Sequence, residues 1–223
     1  ACGSAEQPIA DAYLVRKTAD FEINGSGSSP QWDATPWTRL TVFPDYPSEH
    51  QTEFKMLYSD KGIYVLFNCG DSALTNTLKE DRAPLYNEDV VEVFLQPDSS
   101  RSHYFEYELS PLNYETPLLI FNNQGDLNSW HPFEIREERK LKHATDTSAM
   151  AMRNEPGKSG WKAEFFIPFD LLRPLNGHQP KSGEQWKANF YRIDYDKGEA
   201  LWAWKLNSGN FHEYQHFGTI IFE

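Results

Sequence analysis

Three glutamates lie in two alternating segments, where their type and spacing could act on a polar ligand. Glu92 alternates with valine and leucine, and Glu106 and Glu108 alternate with phenylalanine, tyrosine and leucine. Successive side chains of a strand point to opposite faces, so the apolar sets are expected on a core face and the glutamates on the other face. The pattern therefore predicts three carboxylates on one surface.

Two kinds of chemistry suit such a surface. Carboxylates hold ligand hydroxyl groups through charge-assisted hydrogen bonds. A pair such as Glu92 with Glu106 or Glu108 could also act as acid and as nucleophile or base in glycoside hydrolysis, where the carboxyl groups lie about 5 Å or about 6.5 to 9.5 Å apart. Binding is the favoured interpretation, and no catalytic residue is assigned.

Arginines are the expected counter-charges, because carboxylates that lie close together raise each other's pKa. Arg192 is the main candidate, with Arg82 and Arg153 as further ones. The alternative is a buried network of arginine and glutamate that needs no ligand.

Histidines offer a second catalytic alternative. His131, His212 or His216 could serve as the base of a lyase, whereas the simpler interpretation of each is a solvated loop residue.

Composition limits the partners. The 21 Lys and Arg against 33 Asp and Glu give a net charge of -12, which repels nucleic acids and anionic membranes. Aromatic residues make up 15% of the 223 residues, so some are expected to face solvent or a ligand. We expect one domain over residues 1–223, with residues 1–20 as an extended N-terminal arm.

Two cysteines favour an extracytoplasmic location, in the periplasm or at the cell surface. Cys2, followed by glycine and serine, resembles the lipid acceptor of a bacterial lipoprotein. A Cys2–Cys69 disulfide is the open alternative, and it also requires export. No apolar run reaches the roughly 18 to 20 residues that a membrane-spanning helix needs.

Short alternating segments separated by Gly, Pro, Asn and Asp predict an all-β fold, a two-sheet antiparallel β-sandwich of the immunoglobulin or jelly-roll kind. Short helical turns are predicted at 74–78 and 170–172. The predicted strands are 53–58, 62–68, 89–96, 104–110, 133–136, 149–154, 161–167, 185–194 and 218–222.

The clearest single strand is 160–172, which alternates until Pro168 ends it. Trp161, Phe165 and Ile167 are expected in the core, with Glu164 on the polar face beside an arginine such as Arg192.

An ordered set of segments resembles the family 9 carbohydrate-binding modules across nearly the whole chain. The segments are QWD at 31–33, LYSDKGIYV at 57–65, NEDVVEVFL at 87–95, GWKAEFFIPFDLL at 160–172, WKANFYR at 186–192 and FGTIIF at 217–222. The resemblance implies a β-sandwich that holds a sugar between two aromatic side chains. A hydrolase or lyase, or a scaffold that docks a partner protein, are the alternative functions.

The resemblance also implies particular site residues. Tyr86 and Phe211 correspond to the two aromatic clamps, and Glu92 to a carboxylate that binds hydroxyl groups. Glu108 stands where the family has an arginine that helps to hold the sugar. Because the family clamps are tryptophans, this chain is expected to need more aromatic surface, for which the candidates are Trp130, Trp202 and Trp204, with burial in the core as the alternative.

Structural calcium is implied by the resemblance alone. The candidate ligands are Asp60, Asp71, Asp89 and Asp98, which fall in predicted loops, and oxygen-rich loops suit calcium. Solvated turn aspartates are the alternative.

Overall fold

The computed structural model describes residues 11–124, 126–132 and 137–223. In this part of the chain the strands are β1 (Tyr13–Lys17), β2 (Thr38–Arg39), β3 (Thr41–Val42), β4 (Thr52–Tyr58), β5 (Gly62–Gly70), β6 (Val90–Gln96), β7 (His103–Leu109), β8 (Glu115–Asn123), β9 (Asp126–Pro132), β10 (Lys142–Asp146), β11 (Gly160–Pro168), β12 (Gln185–Asp194), β13 (Ala200–Ala203) and β14 (Gly218–Phe222). A short helix, α1 (Phe169–Leu172), follows β11 directly. Single 3₁₀ turns cover Pro30–Ala34, Leu85–Asn87, Glu137–Arg139, Ser148–Met152, Arg173–Leu175 and Tyr214–His216. None of the described helices is long and apolar enough to cross a membrane.

The strands form one curled, hydrogen-bonded path in the order β10-β11-β5-β4-β1-β14-β12-β6-β7-β8-β9. β13 is paired with β12 and β3, and β2 is paired with β4. Strand β1 joins the two halves, because it runs parallel to β14 on one side and to β4 on the other. The all-β prediction is confirmed, but a purely antiparallel sandwich is wrong, since the sheet is mixed at β1.

Several predicted elements need correction. The predicted strand 149–154 lies largely in the 3₁₀ turn Ser148–Met152, and residues 74–78 form no helix. The predicted turn at 170–172 is confirmed by α1. Segment 133–136 lies outside the described residues. Residues 13–17, which the sequence places in an N-terminal arm, form the strand at the join of the sheet.

The core lies between the two halves of the curled sheet. One half contributes Val91, Val93 and Leu95 from β6, and the other contributes Phe67 from β5 and Phe165 from β11. All of these side chains are at most 1% exposed. Trp161 and Ile167 also belong to this cluster, as their alternation predicts. The inward parity of β6 therefore turns Glu92 outward.

Glu164 holds the loop that covers the outer face of β11. Its Oε2 accepts backbone N–H groups from Asn24 at 3.0 Å and Gly25 at 2.7 Å, and its Oε1 accepts the indole N–H of Trp32 at 2.8 Å. Gly25 has φ +87°, and a Cβ at that position would lie 2.8 Å from the backbone of Thr145, so no larger residue fits. Glu164 is fully buried.

We expect Glu164→Ala to lower the free energy of unfolding by about 3 kcal/mol, because it leaves several buried donors without an acceptor. Urea unfolding followed by tryptophan fluorescence measures the change. Glu155→Ala is the control, because Glu155 forms an exposed ion pair with Lys158 at 2.6 Å, which contributes at most about 1 kcal/mol. Equal losses in the two variants would contradict the assigned role of Glu164.

Candidate functional site

Antiparallel pairing of β6 with β7 brings the three predicted glutamates together. Glu92 lies directly opposite Glu108, and Glu106 lies opposite Phe94. One carboxylate oxygen of each lies within 4.8 Å of the others. The side chains face away from the core and are nonetheless buried, with exposed fractions of 2% for Glu92, 4% for Glu106 and 1% for Glu108. We call these residues the glutamate triad.

The glutamate triad is short of compensating hydrogen bonds. The backbone N–H of Tyr86 donates to Oε2 of Glu108 at 3.1 Å, and Glu106 and Glu108 are hydrogen-bonded to each other. Within the described part of the chain, the Glu92 carboxyl group has no hydrogen-bond partner. Burial followed by the charge of Glu106 raises the pKa of Glu92 well above its ordinary value.

The other two carboxyl groups shift in the same direction. Burial raises the pKa of Glu106 to about 7. Burial, followed by the charges of Glu92 and Glu106, raises the pKa of Glu108 well above its ordinary value. The triad therefore retains protons at a pH where exposed glutamates have lost theirs.

A cavity of about 630 Å³ opens over the triad. Its lining includes both residues at the predicted clamp positions, Tyr86 and Phe211. Tyr86 is 50% exposed, whereas Phe211 is 9% exposed and stacks on Tyr191 with ring centroids 3.9 Å apart and planes at 10°. Further apolar walls come from Pro117, Leu118, Ile120, Ile193 and Leu201. The site is thus a concave, largely apolar pocket with acids on one wall.

His212 also lines the pocket. Its Nδ1 is hydrogen-bonded to the hydroxyl of Tyr104 at 2.6 Å, and its Nε2 lies 3.8 Å from Oε2 of Glu106. Burial lowers the pKa of His212 to about 4, so the ring is neutral at physiological pH. His216 is exposed in its 3₁₀ turn, and the side chain of His131 lies outside the described residues.

Arg192 does not reach the glutamate triad, and its predicted role as counter-charge is wrong. It lies opposite Val91 and faces the core, fully buried, with Nη2 3.0 Å from Oδ2 of Asp71. Residues 186, 188, 190 and 192 share one parity, and Trp186, Ala188 and Phe190 on that parity are apolar, so the alternation itself points Arg192 inward. The expected pairing of Arg192 with Glu164 is also wrong, because Glu164 binds the 24–27 loop.

Of the other two arginines, Arg82 lines the pocket. Arg153 is exposed beside the 3₁₀ turn Ser148–Met152 and is not among the described residues that line the pocket.

Two of the three candidate tryptophans pack in the core instead of the pocket. Trp202 is 1% exposed and lies under the guanidinium of Arg192 at 4.7 Å. Trp204 packs edge-on against Phe54 and Phe190. The burial of Trp202 follows from the pairing of β13 with β12, which aligns it with Arg192 on the inner face. Trp204 follows β13 directly and is partly buried against the same core.

Trp130 lies in strand β9 opposite Ile120, not in the loop that the sequence predicts. Its side chain lies outside the described part of the structure. Its predicted contact with a ligand stays a prediction.

The four aspartates considered for calcium have separate partners. Asp60 forms an ion pair with Lys17 at 2.6 Å, and Asp98 accepts hydrogen bonds from Ser100 and Asn176. Asp89 accepts the backbone N–H groups of residues 75 and 195.

Asp71 belongs to a second acidic group, with His50, Asp194 and Asp196. Burial raises the pKa of Asp71 to about 8, against the opposing charge of Arg192. One buried oxygen of Asp196, Oδ1, is unpaired. Oxygen ligands of this kind suit calcium, but the Arg192 guanidinium already offsets the charge of Asp71, so calcium stays a prediction.

Sequence reasoning missed the lining residues Ile193, Glu199, Leu201 and Asn210. Ile193 carries a usable signal, since it has the opposite parity to Arg192 in β12. The other three come from segments whose approach to the triad depends on tertiary packing.

Comparison with known proteins identifies the family of this chain. The model of carbohydrate-binding family 9 matches residues 34–222, which confirms the resemblance. A protein of Arthroderma benhamiae, named only "Extracellular protein", is 24% identical over 202 residues. The match covers 84% of this chain and 87% of the relative.

Solved structures with the same fold are more distant in sequence. A proposed carbohydrate-binding protein of Bacteroides uniformis is 18% identical, with a TM-score of 0.74, covering 95% of this chain and 99% of its own. A family 9 module of Caldicellulosiruptor kristjanssonii in complex with cellotriose is 17% identical, with a TM-score of 0.66. The match covers 95% of this chain and 93% of the module. The same organism's module in complex with glucose gives a TM-score of 0.65 at 17% identity, and the match covers 94% of this chain and 95% of the module. These likenesses establish the fold.

The triad makes stability depend on pH with a definite sign. The folded pKa of Glu106, about 7, exceeds its ordinary value of 4.5. The stability that protonated Glu106 contributes to the folded state is therefore fully present below about pH 4.5 and is lost as the pH rises through about 7. Glu106→Gln removes this loss, so we expect its stability relative to wild type to rise between pH 4.5 and pH 8, by up to about 3 kcal/mol. Urea unfolding at both pH values measures it.

Asp98→Asn provides a control of opposite sign. Hydrogen bonds from the Ser100 side chain and from Asn176 lower the pKa of Asp98, so its contribution is present above its unfolded pKa and is lost on acidification. Asp98→Asn is expected to be no more stable than wild type at pH 8. A Glu106→Gln advantage that shrinks toward pH 8 would refute the assigned electrostatics.

Proposed function

The chain belongs to carbohydrate-binding family 9, and we propose that it is an extracytoplasmic protein that binds a sugar in the pocket over the glutamate triad. The single observation that carries the proposal is the pocket itself, a concave space of about 630 Å³ with aromatic residues and carboxyl groups in one lining. Ligand sites are typically concave, mostly apolar and equipped with a few polar groups. The complexes of related modules with glucose and cellotriose support a sugar as the ligand.

The lining groups match the two kinds of surface that a sugar presents. The C–H faces of a pyranose ring pack on aromatic rings, and Tyr86, half exposed at the pocket, offers such a ring. Phe211 is held flat against Tyr191 and supplies a second, fixed wall. The hydroxyl groups require donors and acceptors, and a partly protonated triad offers both.

Hydrolysis fits the geometry less well. A glycosidase places its two carboxyl groups on either side of the scissile bond. Glu92 and Glu108 are direct cross-strand partners on one face of one sheet, so they approach a bound sugar from the same side. Binding without catalysis is also the behaviour of the family.

A docking surface for a partner protein is the third candidate. Such surfaces are broad, exposed and apolar. The exposed large apolar side chains in the described residues, among them Leu14, Leu112 and Leu206, come from separate segments. The pocket favours a small ligand instead.

The location is inferred from the relative named "Extracellular protein". Cys2, the proposed lipid acceptor, lies outside the described residues, and so does the alternative Cys2–Cys69 pairing. Cys69 itself is fully buried in β5, and burial raises the pKa of its thiol to about 12. Both lipidation of Cys2 and the Cys2–Cys69 disulfide stay predictions.

Removing the exposed ring at the pocket is the direct test. We expect Tyr86→Ala to weaken sugar binding about tenfold, because an aromatic contact of this kind contributes about 1 to 1.5 kcal/mol. Tyr86→Phe should keep most of the affinity, since the ring remains. Calorimetric titration with glucose and cellotriose measures both.

Trp37→Ala is the matched control, because Trp37 is 36% exposed and packs with Lys55, outside the pocket lining. Its affinity for sugar should equal that of wild type. Sugar binding that survives Tyr86→Ala undiminished would place the site elsewhere. Release of sugar by the wild-type protein from an oligosaccharide, lost in Glu92→Gln, would support hydrolysis instead.

A further inference from the structure

We propose that the pocket prefers a sugar that carries a primary ammonium group, a hexosamine or the free amino end of a hexosamine oligomer, whose ammonium group lies against the glutamate triad. This inference rests on the proposed function, that the pocket binds a sugar, and it adds the chemical class of that sugar.

The first support is the concentration of three largely buried acids at one cavity. The three carboxyl groups have oxygens within 4.8 Å of one another and are at most 4% exposed. Glu92 lines the cavity, is 98% buried and has no hydrogen-bond partner within the described residues. Because Glu92 lines the cavity, a ligand there can supply the donor that the described chain does not.

The second support is the shortage of positive charge. Among the described residues, the pocket lining contains the three triad glutamates and Glu199 against a single cation, Arg82. Arg192, whose strand β12 is paired with β6, faces the opposite side and is bound to Asp71 and Asp194. Among the described residues, the pocket is therefore a cation-poor, acid-rich site.

An ammonium group suits this environment better than a hydroxyl group does. It offers three donors and no acceptor, which matches several carboxylate oxygens at once. It also carries the positive counter-charge that a buried carboxylate requires and that this pocket is short of. The net charge of -12 favours the approach of a cationic ligand from a distance.

Proton release is the signature that separates an ammonium group from a neutral sugar. Because the free triad retains protons near neutral pH, a cation that stabilises the carboxylates must displace some of them. A neutral sugar can be bound by protonated carboxyl groups without any release. Affinity for a hexosamine should therefore rise with pH from about 5.5 to 7, below the pKa of its own amine, which lies near about 8 for an amino group of this type.

Other titratable groups also face the triad. His212 lies 3.8 Å from Glu106 and is neutral above about pH 4, so it does not titrate between pH 5.5 and 7. The phenols of Tyr104, Tyr191 and Tyr195 have pKa values raised by burial, so they stay protonated. In the part of the lining that the structure describes, the remaining charged residues are Arg82 and Glu199.

The test compares glucosamine with glucose, which has a hydroxyl group in place of the amine. Calorimetry at pH 6.5 in two buffers of different ionisation enthalpy gives the affinity and the number of protons released. We expect glucosamine to bind at least about tenfold more tightly, with net proton release, and glucose to bind without release. N-Acetylglucosamine, which has no charge, should lose the preference, and a glucosamine dimer tests whether an oligomer end fits.

Variants assign the effect to the triad. Glu92→Gln should reduce the ratio of glucosamine to glucose affinity at least about fivefold, because it removes the carboxylate that lacks a partner. Glu49→Gln makes the same side-chain replacement at an exposed residue paired with Lys197, outside this pocket, and should leave the ratio unchanged. Circular dichroism verifies that both variants are folded.

The outcomes distinguish the two proposals. If glucose or cellotriose binds at the Tyr86 pocket and glucosamine binds no more tightly, the ammonium inference is wrong and the proposed function stands. If no sugar in the panel binds, both are wrong. If calcium chloride without sugar releases the same protons and blocks glucosamine, the triad is a metal site and the ammonium inference is overturned.

Discussion

The register between β6 and β7 is the constraint on which both the core and the pocket depend. Along β6, Val91, Val93 and Leu95 point inward, and Glu92 and Phe94 point outward. The pairing of β6 with β7 sets Glu92 opposite Glu108. A slip of one residue would exchange the two faces and put the carboxylates into the centre of the molecule. The core therefore fixes the register, and the register in turn brings the acids together.

Much of this arrangement follows from local sequence. The alternation of residues 90–96 and 103–109 identifies the strands and predicts which faces carry acids, and residues 160–168 form the expected strand up to Pro168. Strand β1 could not be placed in this way, because parallel pairing with β4 and β14 joins segments far apart in the chain and leaves no turn signal between them. Strand β8 contains Pro117 and an unbroken apolar run, which hide its alternation.

The site was predicted in part for the same reason. Strand parity located the triad, whereas Arg192 was assigned by its charge and against its own parity. The positions of Trp202 and Trp204 depend on the pairing of β13 with β12, which sequence spacing does not reveal. Residues on one strand are thus predictable from alternation, and residues from several loops require the tertiary structure.

Two buried acids in this protein are treated in opposite ways, and the contrast bears on function. Glu164 accepts three backbone N–H groups and one indole N–H, so its burial is compensated from within the chain and serves the fold. Glu92 is buried almost as deeply, beside two further acids, and the described chain supplies it with no donor. The cost of burying an uncompensated acid is tolerated where another molecule can compensate it. Because the cavity opens directly over Glu92, the missing donor is one that a ligand can bring.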